Sequence, residues 1–188
     1  MTNVEIFNKN LTAHKDVVSR MSEMEEKIAS AGEIIASSIA EGGTVFFCGN
    51  GGSAADAQHL AAEFSGRYLK ERRPLNGVAL TCNTSALTAI GNDYSFEKIY
   101  SRQLEAHGKS GDVLIAISTS GNSGNIVEAA ISAHRIGISV IALTGECGGK
   151  LRDLSDVLLN VPSTETPRIQ EMHILIGHTL CEMAEKDY

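Results

Sequence analysis

The residues of this chain that can bind a metal or transfer a proton begin with His59 and Glu63, which lie four positions apart after a glycine-rich segment. On a helix this spacing places both side chains on one face. The glycine-rich segment runs from Gly49 to Gly52, follows an apolar run, and ends at Ser53, which can cap the helix that follows. On spacing alone, a surface ion pair is the better interpretation of His59 and Glu63. Their position directly after a turn of the anion-binding type favours a metal-binding or acid/base function.

Three further side chains of this kind lie near the end of the chain, in a segment that we predict to be a helix over residues 167–186. Gln170 and His178 are eight residues apart, which is about 12 Å of axial rise, and they share a face. Both reach one metal only if their side chains lean toward each other. His173 lies off that face, and we expect it to be packed or at the surface.

A second candidate for anion binding is the segment Ser118–Ser123, which follows an apolar run and precedes a predicted helix. It offers four serine or threonine hydroxyls together with backbone N–H groups. The positive end of the helix dipole adds to them, and the combination is typical of a site for a phosphate monoester. The alternative is an extended helix cap, which explains one or two of the hydroxyls but not four.

The glycine-rich segment also matches a loose dinucleotide-binding pattern, Gly-x-Gly-x-x-Ala. That pattern expects a carboxylate at the end of the second strand, where this chain reads Leu80-Thr81-Cys82-Asn83. No lysine follows the glycines, as ATP-binding loops require. Neither NAD nor ATP is therefore supported. Asn92-Asp93 lie where a predicted helix breaks, which suits either a cleft or a simple Asx turn.

These segments must be positioned by a sheet, and five apolar runs that do not alternate with polar residues predict one. Strands that are apolar on both faces belong in a parallel sheet covered by helices. The order of strands and helices predicts a doubly wound α/β three-layer sandwich, and no domain boundary interrupts residues 1–188. The predicted strands are 44–48, 77–81, 112–117, 139–143 and 157–161, and the predicted helices between and after them are 53–68, 84–107 with a break at 91–93, 123–136, 148–153 and 167–186.

The N-terminal part of the chain is predicted to be helical. Apolar residues recur at spacings of three and four over residues 3–29, Ser30-Ala31-Gly32 weakens the helix, and residues 33–40 resume it. So long a stripe at the end of a small domain often packs on another helix or subunit, and we expect residues 1–41 to take part in oligomer packing. His14 lies in the stripe, where a packed interface histidine is expected.

The charge of the chain argues against several partners. The net charge is −7, and the one basic cluster, Lys70–Arg73, includes Glu71 and is expected to be a solvated loop. We therefore expect no nucleic-acid partner. No signal peptide and no apolar run of about 20 residues is visible, so we expect no membrane partner and a cytoplasmic location. The four cysteines are scattered, and we expect buried, reduced thiols.

Taken together, the motifs resemble those of the sugar isomerase (SIS) family, and more closely those of its phosphoheptose isomerases. The resemblance runs from residue 44 nearly to the C-terminus, while the N-terminal helices match in length and place only. One departure is Pro167, which stands where the family often has an acid, so no acidic role is assigned there. The motifs that carry the resemblance are Cys48-Gly-Asn-Gly-Gly-Ser53, Asp56-Ala-Gln-His59, Glu63, Gly66-Arg-Tyr68, Gly91-Asn-Asp93, Ser118-Thr-Ser-Gly-Asn-Ser123, Leu143-Thr-Gly145, Gly148-Gly-Lys150 and Arg168-Ile-Gln-Glu171 with His173 and His178.

The resemblance implies a single SIS domain with a five-stranded parallel sheet and long N-terminal helices. It implies an aldose–ketose isomerase that converts sedoheptulose 7-phosphate to D-glycero-D-manno-heptose 7-phosphate through an enediol(ate). In the family this is the first step of ADP-heptose biosynthesis for bacterial surface polysaccharide. The resemblance further implies one zinc ion per subunit and a cytoplasmic homotetramer with sites between subunits.

Roles of single residues are carried over by position. Glu63 and His178 would be the base and the acid of the reaction. The implied zinc ligands are His59, Glu63, Gln170 and His178. The implied substrate contacts are Asn50, Gly51, Gly52, Glu63, Asn92, Asp93, Ser118, Thr119, Ser120, Ser123 and Gln170.

Two alternatives stay open at the level of the sequence. The first is a non-enzymatic SIS protein that binds the bacterial replication initiator; such relatives typically lack equivalents of Glu63 and His178, and this chain has both. The second is another phosphosugar isomerase, such as one acting on arabinose 5-phosphate. Sugar length and stereochemistry do not follow from the residues by physical argument alone.

Overall fold

The computed structural model describes all 188 residues and confirms the predicted α/β class. Its five strands form one sheet in the order β2-β1-β3-β4-β5, and all neighbours are parallel. The strands are β1 (Val45–Gly49), β2 (Gly77–Ala79), β3 (Val113–Ile117), β4 (Ser139–Thr144) and β5 (Val157–Asn160). The α-helices are α1 (Asn3–Ser19), α2 (Glu25–Ala40), α3 (Gly52–Ser65), α4 (Thr84–Asp93), α5 (Ser101–His107), α6 (Gly124–Ile136) and α7 (Thr166–Glu185), and short 3-10 turns lie at Met21–Met24, Phe96–Lys98 and Gly149–Leu154.

Two apolar cores, one on each face of the sheet, make the three layers. Side chains of α2, α3 and α7 cover one face and join alternate residues of β1 and β3 in a single cluster. Side chains of α5 and α6 cover the other face. All residues of β1 and β3 are buried, which explains why their sequences are apolar without alternation.

The N-terminal helices differ from the prediction in where they break. The predicted helix over 3–29 ends at Ser19, and a 3-10 turn separates it from α2. Ser30-Ala31-Gly32 lie inside α2 and do not interrupt it. The physical reason is packing, since a Cβ on Gly32 would lie 2.5 Å from Sδ of Met183 in α7. The glycine allows close contact of two helices and does not end one.

The apolar stripe of α1 is mostly exposed within the single chain. Val17 is the only buried residue of the helix. His14 is half-buried, and its Nδ1 lies 2.8 Å from Glu171 Oε2 in α7. The exposed apolar side chains of α1 are Val4, Ile6, Phe7, Leu11 and Val18.

Two other predictions about local environment were wrong in part. Lys70–Arg73 is not a wholly solvated loop, because the side chain of Arg72 is 2% exposed and pairs with Glu185. All four cysteines are free, yet only Cys48 and Cys181 are buried.

None of the helices is both long and apolar enough to cross a bilayer.

The carboxyl ends of β1, β3 and β4 meet at one edge of the sheet because the strands are parallel and in register. The glycine-rich loop follows β1, and the segment Ser118–Ser123, here called the serine loop, follows β3. In an open α/β sheet this edge is where ligands bind.

Candidate active site

Helices α3 and α7 lie side by side and run in the same direction, starting at this edge. A Cβ on Gly52, the first residue of α3, would lie 2.6 Å from Nε2 of Gln170. Two turns later, a Cβ on Gly177 would lie 2.6 Å from Cδ1 of Leu60. The two glycines let the helices approach closely, so that side chains on adjoining faces meet.

Three of the predicted site residues meet in this seam, and we call His59, Glu63 and His178 the histidine cluster. The Nε2 atoms of the two imidazoles are 2.8 Å apart, and the rings are edge to face at 72°. Glu63 Oε1 lies 3.7 Å from His59 Nε2. Two neutral imidazoles at this distance form one hydrogen bond, in which one Nε2 donates its proton and the other Nε2 accepts it. The cluster therefore brings two imidazole nitrogens and a carboxylate together around one point, the Nε2 atom of His59.

The fourth predicted metal ligand, Gln170, lies two turns away from this point. Its amide packs against Gly52, and it forms no hydrogen bond to the histidine cluster. No group of three or more histidine, cysteine, aspartate or glutamate side chains has the arrangement of a finished metal site. The donor set nonetheless suits zinc, which takes imidazole nitrogen and carboxylate oxygen at about 2.0–2.2 Å. A tetrahedral ion would need the two Nε2 atoms at about 3.3 Å, a small widening of the observed gap.

Two residues that the sequence analysis left without a role, Asp56 and Tyr68, adjoin the histidine cluster. Burial raises the pKa of the Asp56 carboxyl, and the charges of His59 and His178 nearby oppose that shift. The ring of Tyr68 stacks on His178 with centroids 5.4 Å apart and planes at 26°. Asp56 lies three residues before His59 on the same helix, so helical spacing contains a signal for it. Nothing in the local sequence indicates the contact of Tyr68.

The glycine-rich loop between β1 and α3 has a backbone conformation that depends on glycine. Gly51 has φ +56° and ψ −120°, a conformation open to glycine and strained for other residues. It occupies the N-cap position, so Ser53 is not the helix cap that the sequence allowed; Ser53 is a buried residue of the first turn.

Asn50 joins the glycine-rich loop to the first turn of α6. Its amide and that of Asn125 in α6 exchange two hydrogen bonds of 2.9 and 2.8 Å. The sequence analysis did not single out Asn125. The pair holds the glycine-rich loop against the first turn of α6, next to the serine loop.

The serine loop has unsatisfied backbone donors rather than a finished helix cap. Ser123 is the N-cap of α6, but its hydroxyl lies 3.0 Å from that of Ser118 and caps nothing. The backbone N–H groups of Thr119, Ser120, Ser123 and Gly124 donate to no protein atom. Free N–H groups at a helix N-terminus form a ready site for an anion. The loop thus has the properties expected of a phosphate site.

Two cavities flank these loops. One of about 280 Å³ is lined by Thr119, Ser120 and Gly145. The other, about 510 Å³, is lined by Asn50, Gly51 and Gly91 among others. Asn92 and Asp93 end α4 beside it, and Asn92 Nδ2 donates to Asp93 Oδ1 at 2.8 Å. The helix break that was predicted at 91–93 follows Asp93 instead.

His173 is packed, which is one of the two positions predicted for it. Its Nε2 lies 3.1 Å from the carbonyl oxygen of Thr144 at the end of β4, while Nδ1 has no partner. Burial lowers the pKa of His173 to about 4, and the bond to Thr144 opposes that shift. The residue is neutral at physiological pH and ties α7 to the edge of the sheet.

Comparison with known proteins places this geometry in context. A family model described as an SIS domain matches residues 10–145. A phosphoheptose isomerase of Rhodospirillum rubrum is 58% identical over 170 residues, which are 90% of each chain. The structure of phosphoheptose isomerase GmhA from Neisseria gonorrhoeae superposes with a TM-score of 0.93 at 45% identity, covering 98% of this chain and 100% of the other. A phosphoheptose isomerase from Francisella tularensis gives a TM-score of 0.95 at 37% identity, covering 99% and 100%.

Proposed function

The chain belongs to the SIS-domain family, among the phosphoheptose isomerases, and on that premise we propose that it converts sedoheptulose 7-phosphate to D-glycero-D-manno-heptose 7-phosphate. This reaction is an aldose–ketose isomerisation, and its product leads to the ADP-heptose of bacterial surface polysaccharide. The observation that carries the proposal is the convergence of His59, Glu63 and His178 where α3 and α7 adjoin, together with the free backbone donors of the serine loop.

The reaction moves one carbon-bound proton between C1 and C2 through an enediol(ate). In the direction of the aldose, the Glu63 carboxylate takes a proton from C1 and the C1–H electrons form the C1=C2 bond. The Glu63 carboxyl exchanges this proton with solvent and then gives a proton to C2. His178 transfers the proton between the two oxygens, so that O1 becomes the carbonyl and O2 the hydroxyl. A positioned base and acid each contribute about 10²–10⁴-fold.

The loops hold the substrate at a distance from the reacting carbons. The serine loop takes the phosphate through the hydroxyls of Ser118, Thr119, Ser120 and Ser123 and through its free N–H groups. Asn50, Gly51 and Gly52 contact the sugar chain, together with Asn92 and Asp93 across the larger cavity. Binding energy at the phosphate then orients C1 and C2 at the histidine cluster.

We also propose one zinc ion per subunit, held by His59, Glu63, Gln170 and His178. The nitrogen and oxygen donors of the histidine cluster support it, and Gln170 would have to swing from Gly52 toward them. Bound zinc would polarise the carbonyl oxygen and stabilise the enediolate. Glu63 can be both a zinc ligand and the base in one of two ways. Either its carboxylate leaves the metal during turnover, or the role of the metal is partly structural. Zinc content by mass spectrometry should be one per chain and should fall in His59→Gln.

The assembly is proposed to be a cytoplasmic homotetramer that takes up the phosphorylated heptose and neither nucleic acid nor membrane. The exposed apolar stripe on α1 supports association with further copies. The four free thiols suit a reducing compartment, and a net charge of −7 disfavours a polyanionic partner.

The two alternatives are not favoured. A protein that only binds the replication initiator has no use for Glu63 and His178 brought together around His59. An isomerase for another phosphosugar is opposed by the identity of 45–58% to proteins named phosphoheptose isomerase.

The test is a direct assay of the purified protein. Sedoheptulose 7-phosphate should give the heptose 7-phosphate by NMR, and in deuterium oxide the product should carry deuterium at C2. Ketose phosphates with five and six carbons serve as controls, each with and without a chelator. Turnover of a shorter sugar in place of the heptulose would contradict the proposed substrate.

A further inference from the structure

A buried ion pair, Arg72 with Glu185, lies at the far end of the α3–α7 seam. Arg72 Nε is 3.0 Å from Glu185 Oε2, and the two side chains are 2% and 1% exposed. Burial of a charge pair costs more than the attraction returns unless further hydrogen bonds satisfy both groups. The partners of these two side chains therefore decide what the pair does in this fold.

Glu185 binds the backbone of the loop that follows α3. Its carboxylate accepts hydrogen bonds from the N–H groups of Tyr68 at 3.3 Å, Leu69 at 2.7 Å and Lys70 at 2.8 Å. Burial alone would raise the pKa of Glu185, but these three donors and Arg72 outweigh it and lower the pKa. One carboxylate at the end of α7 thus fixes three consecutive residues of the loop.

Arg72 completes the other end of the same structure. Its guanidinium donates to carbonyl oxygens in the last turn of α3, with Nη2 2.8 Å from Glu63 O and Nη1 3.0 Å from Phe64 O. A third bond of 3.3 Å reaches Gly66 O. These carbonyls have no partner within the helix. A positive charge there also interacts favourably with the negative end of the helix dipole.

The contacts of the ion pair therefore lead to Glu63, a member of the histidine cluster, and to Tyr68, which adjoins it. The loop fixed by Glu185 carries Tyr68, whose ring stacks on the imidazole of His178. The turn capped by Arg72 carries Glu63, the proposed base. A displacement of about 1 Å at such a distance from the chemistry is enough to lower turnover up to about 100-fold.

We propose that the Arg72–Glu185 pair is a positioning device for the reaction, which sets Tyr68 against the imidazole of His178 and fixes the helix turn that bears Glu63. Neither residue of the pair touches substrate, and Tyr68 acts by holding the plane of the His178 ring. The inference rests on the proposed isomerase function.

The test compares a variant of the ion pair with variants of Tyr68. Glu185→Gln should lower kcat by about 10- to 100-fold with KM nearly unchanged. Tyr68→Leu should lower kcat similarly, while Tyr68→Phe, which keeps the stacked ring, should retain at least half of it. The matched control is Glu71→Gln, which removes a charge from an exposed side chain of the same loop.

A second measurement does not depend on activity. The ring protons of His178 in histidine-labelled protein experience the ring current of Tyr68, and their NMR shifts should move in the same direction in Glu185→Gln and Tyr68→Leu. Since Tyr68 is partly exposed, Tyr68→Leu should fold even if Glu185→Gln does not. Unchanged His178 shifts and wild-type kcat in Tyr68→Leu would overturn the inference. If the wild-type protein fails to isomerise the heptulose, the proposed function fails, and the NMR shifts still decide whether the pair positions the ring.

Discussion

The serine loop and the histidine cluster are built from different kinds of contact. Within the loop, Ser118 bonds Ser123, and the N–H of Asn122 bonds the hydroxyl of Ser120, so partners lie at most five residues apart. In the histidine cluster, His59 faces His178 across 119 residues of sequence. The loop is also held by the backbone N–H groups of Gly145, Lys150 and Leu151, which lie at most 30 residues further on. The histidine cluster exists only when two helices more than 100 residues apart in sequence are packed.

This difference suggests a division of labour. The serine loop holds a phosphate that does not change during the reaction, so its contacts are equally strong in ground and transition states. Such contacts affect KM. The seam holds groups that exchange protons, so its geometry affects kcat. The predictions below test that division, from the largest expected effect to the smallest.

The largest effect is expected at the acid and base. Glu63→Gln and His178→Gln keep the shape of each side chain and remove its proton transfer. Each should lower kcat by about 10²–10⁴-fold in a heptulose 7-phosphate assay, with KM changed only a few-fold. Glu182→Gln, an exposed change one turn after His178, is the control. Wild-type turnover in either variant would contradict the assignment of proton transfer to the seam and would leave no functional difference between the seam and the loop.

The packing of the seam is the next test. Gly177→Ala puts a methyl group about 2.6 Å from Leu60 Cδ1, so α3 and α7 must move apart. Overpacking of this kind costs up to about 3 kcal/mol in the free energy of unfolding. Urea titration should show that loss, and kcat should fall while KM holds. A rise in KM at constant kcat would mean that the seam and the loop are not separable.

The sequence predicts the parts of this fold that depend on local pattern. Unbroken apolar runs indicate a buried parallel sheet, and each of the five strands was placed within two residues at either end. The ends of the helices were predicted less accurately, because tertiary packing overrides the intrinsic helix propensity of single residues. Gly32 continues α2, since its missing side chain accommodates Met183, which is 151 residues away.

The same limit applies to the site. The glycine-rich loop, the His59–Glu63 spacing and the serine loop are recognisable because their residues are close in sequence. Tyr68 and Arg72 were missed because their partners, His178 and Glu185, lie more than 100 residues further on. A charged run with a buried arginine looks the same in sequence as a solvated loop.

His173 lies between the two regions, and its effect appears in stability rather than turnover. Its folded pKa of about 4 is below the usual 6.5, so between these values the unfolded chain binds a proton that the folded chain does not. Stability from this residue is complete above about pH 6.5 and is lost as the pH falls toward 4. The loss should reach about 2 kcal/mol at pH 5. Urea unfolding at pH 7.5 and pH 5 should show a smaller difference for His173→Gln, while the exposed His107→Gln should behave as wild type.

The smallest effect is expected in the serine loop, at Ser123→Ala. One hydroxyl is lost from the phosphate contacts, while the free N–H groups of the loop remain. A hydrogen bond to a charged group is worth about 1.5 kcal/mol at the lower end of its range, so KM should rise about tenfold. The exposed Ser30→Ala in α2 is the control. Because the phosphate lies away from C1 and C2, kcat should not change, and turnover of sedoheptulose without its phosphate should be the same in variant and wild type. A fall in kcat at constant KM would place Ser123 among the reacting groups, and the loop would then take part in the chemistry that the comparison assigns to the seam.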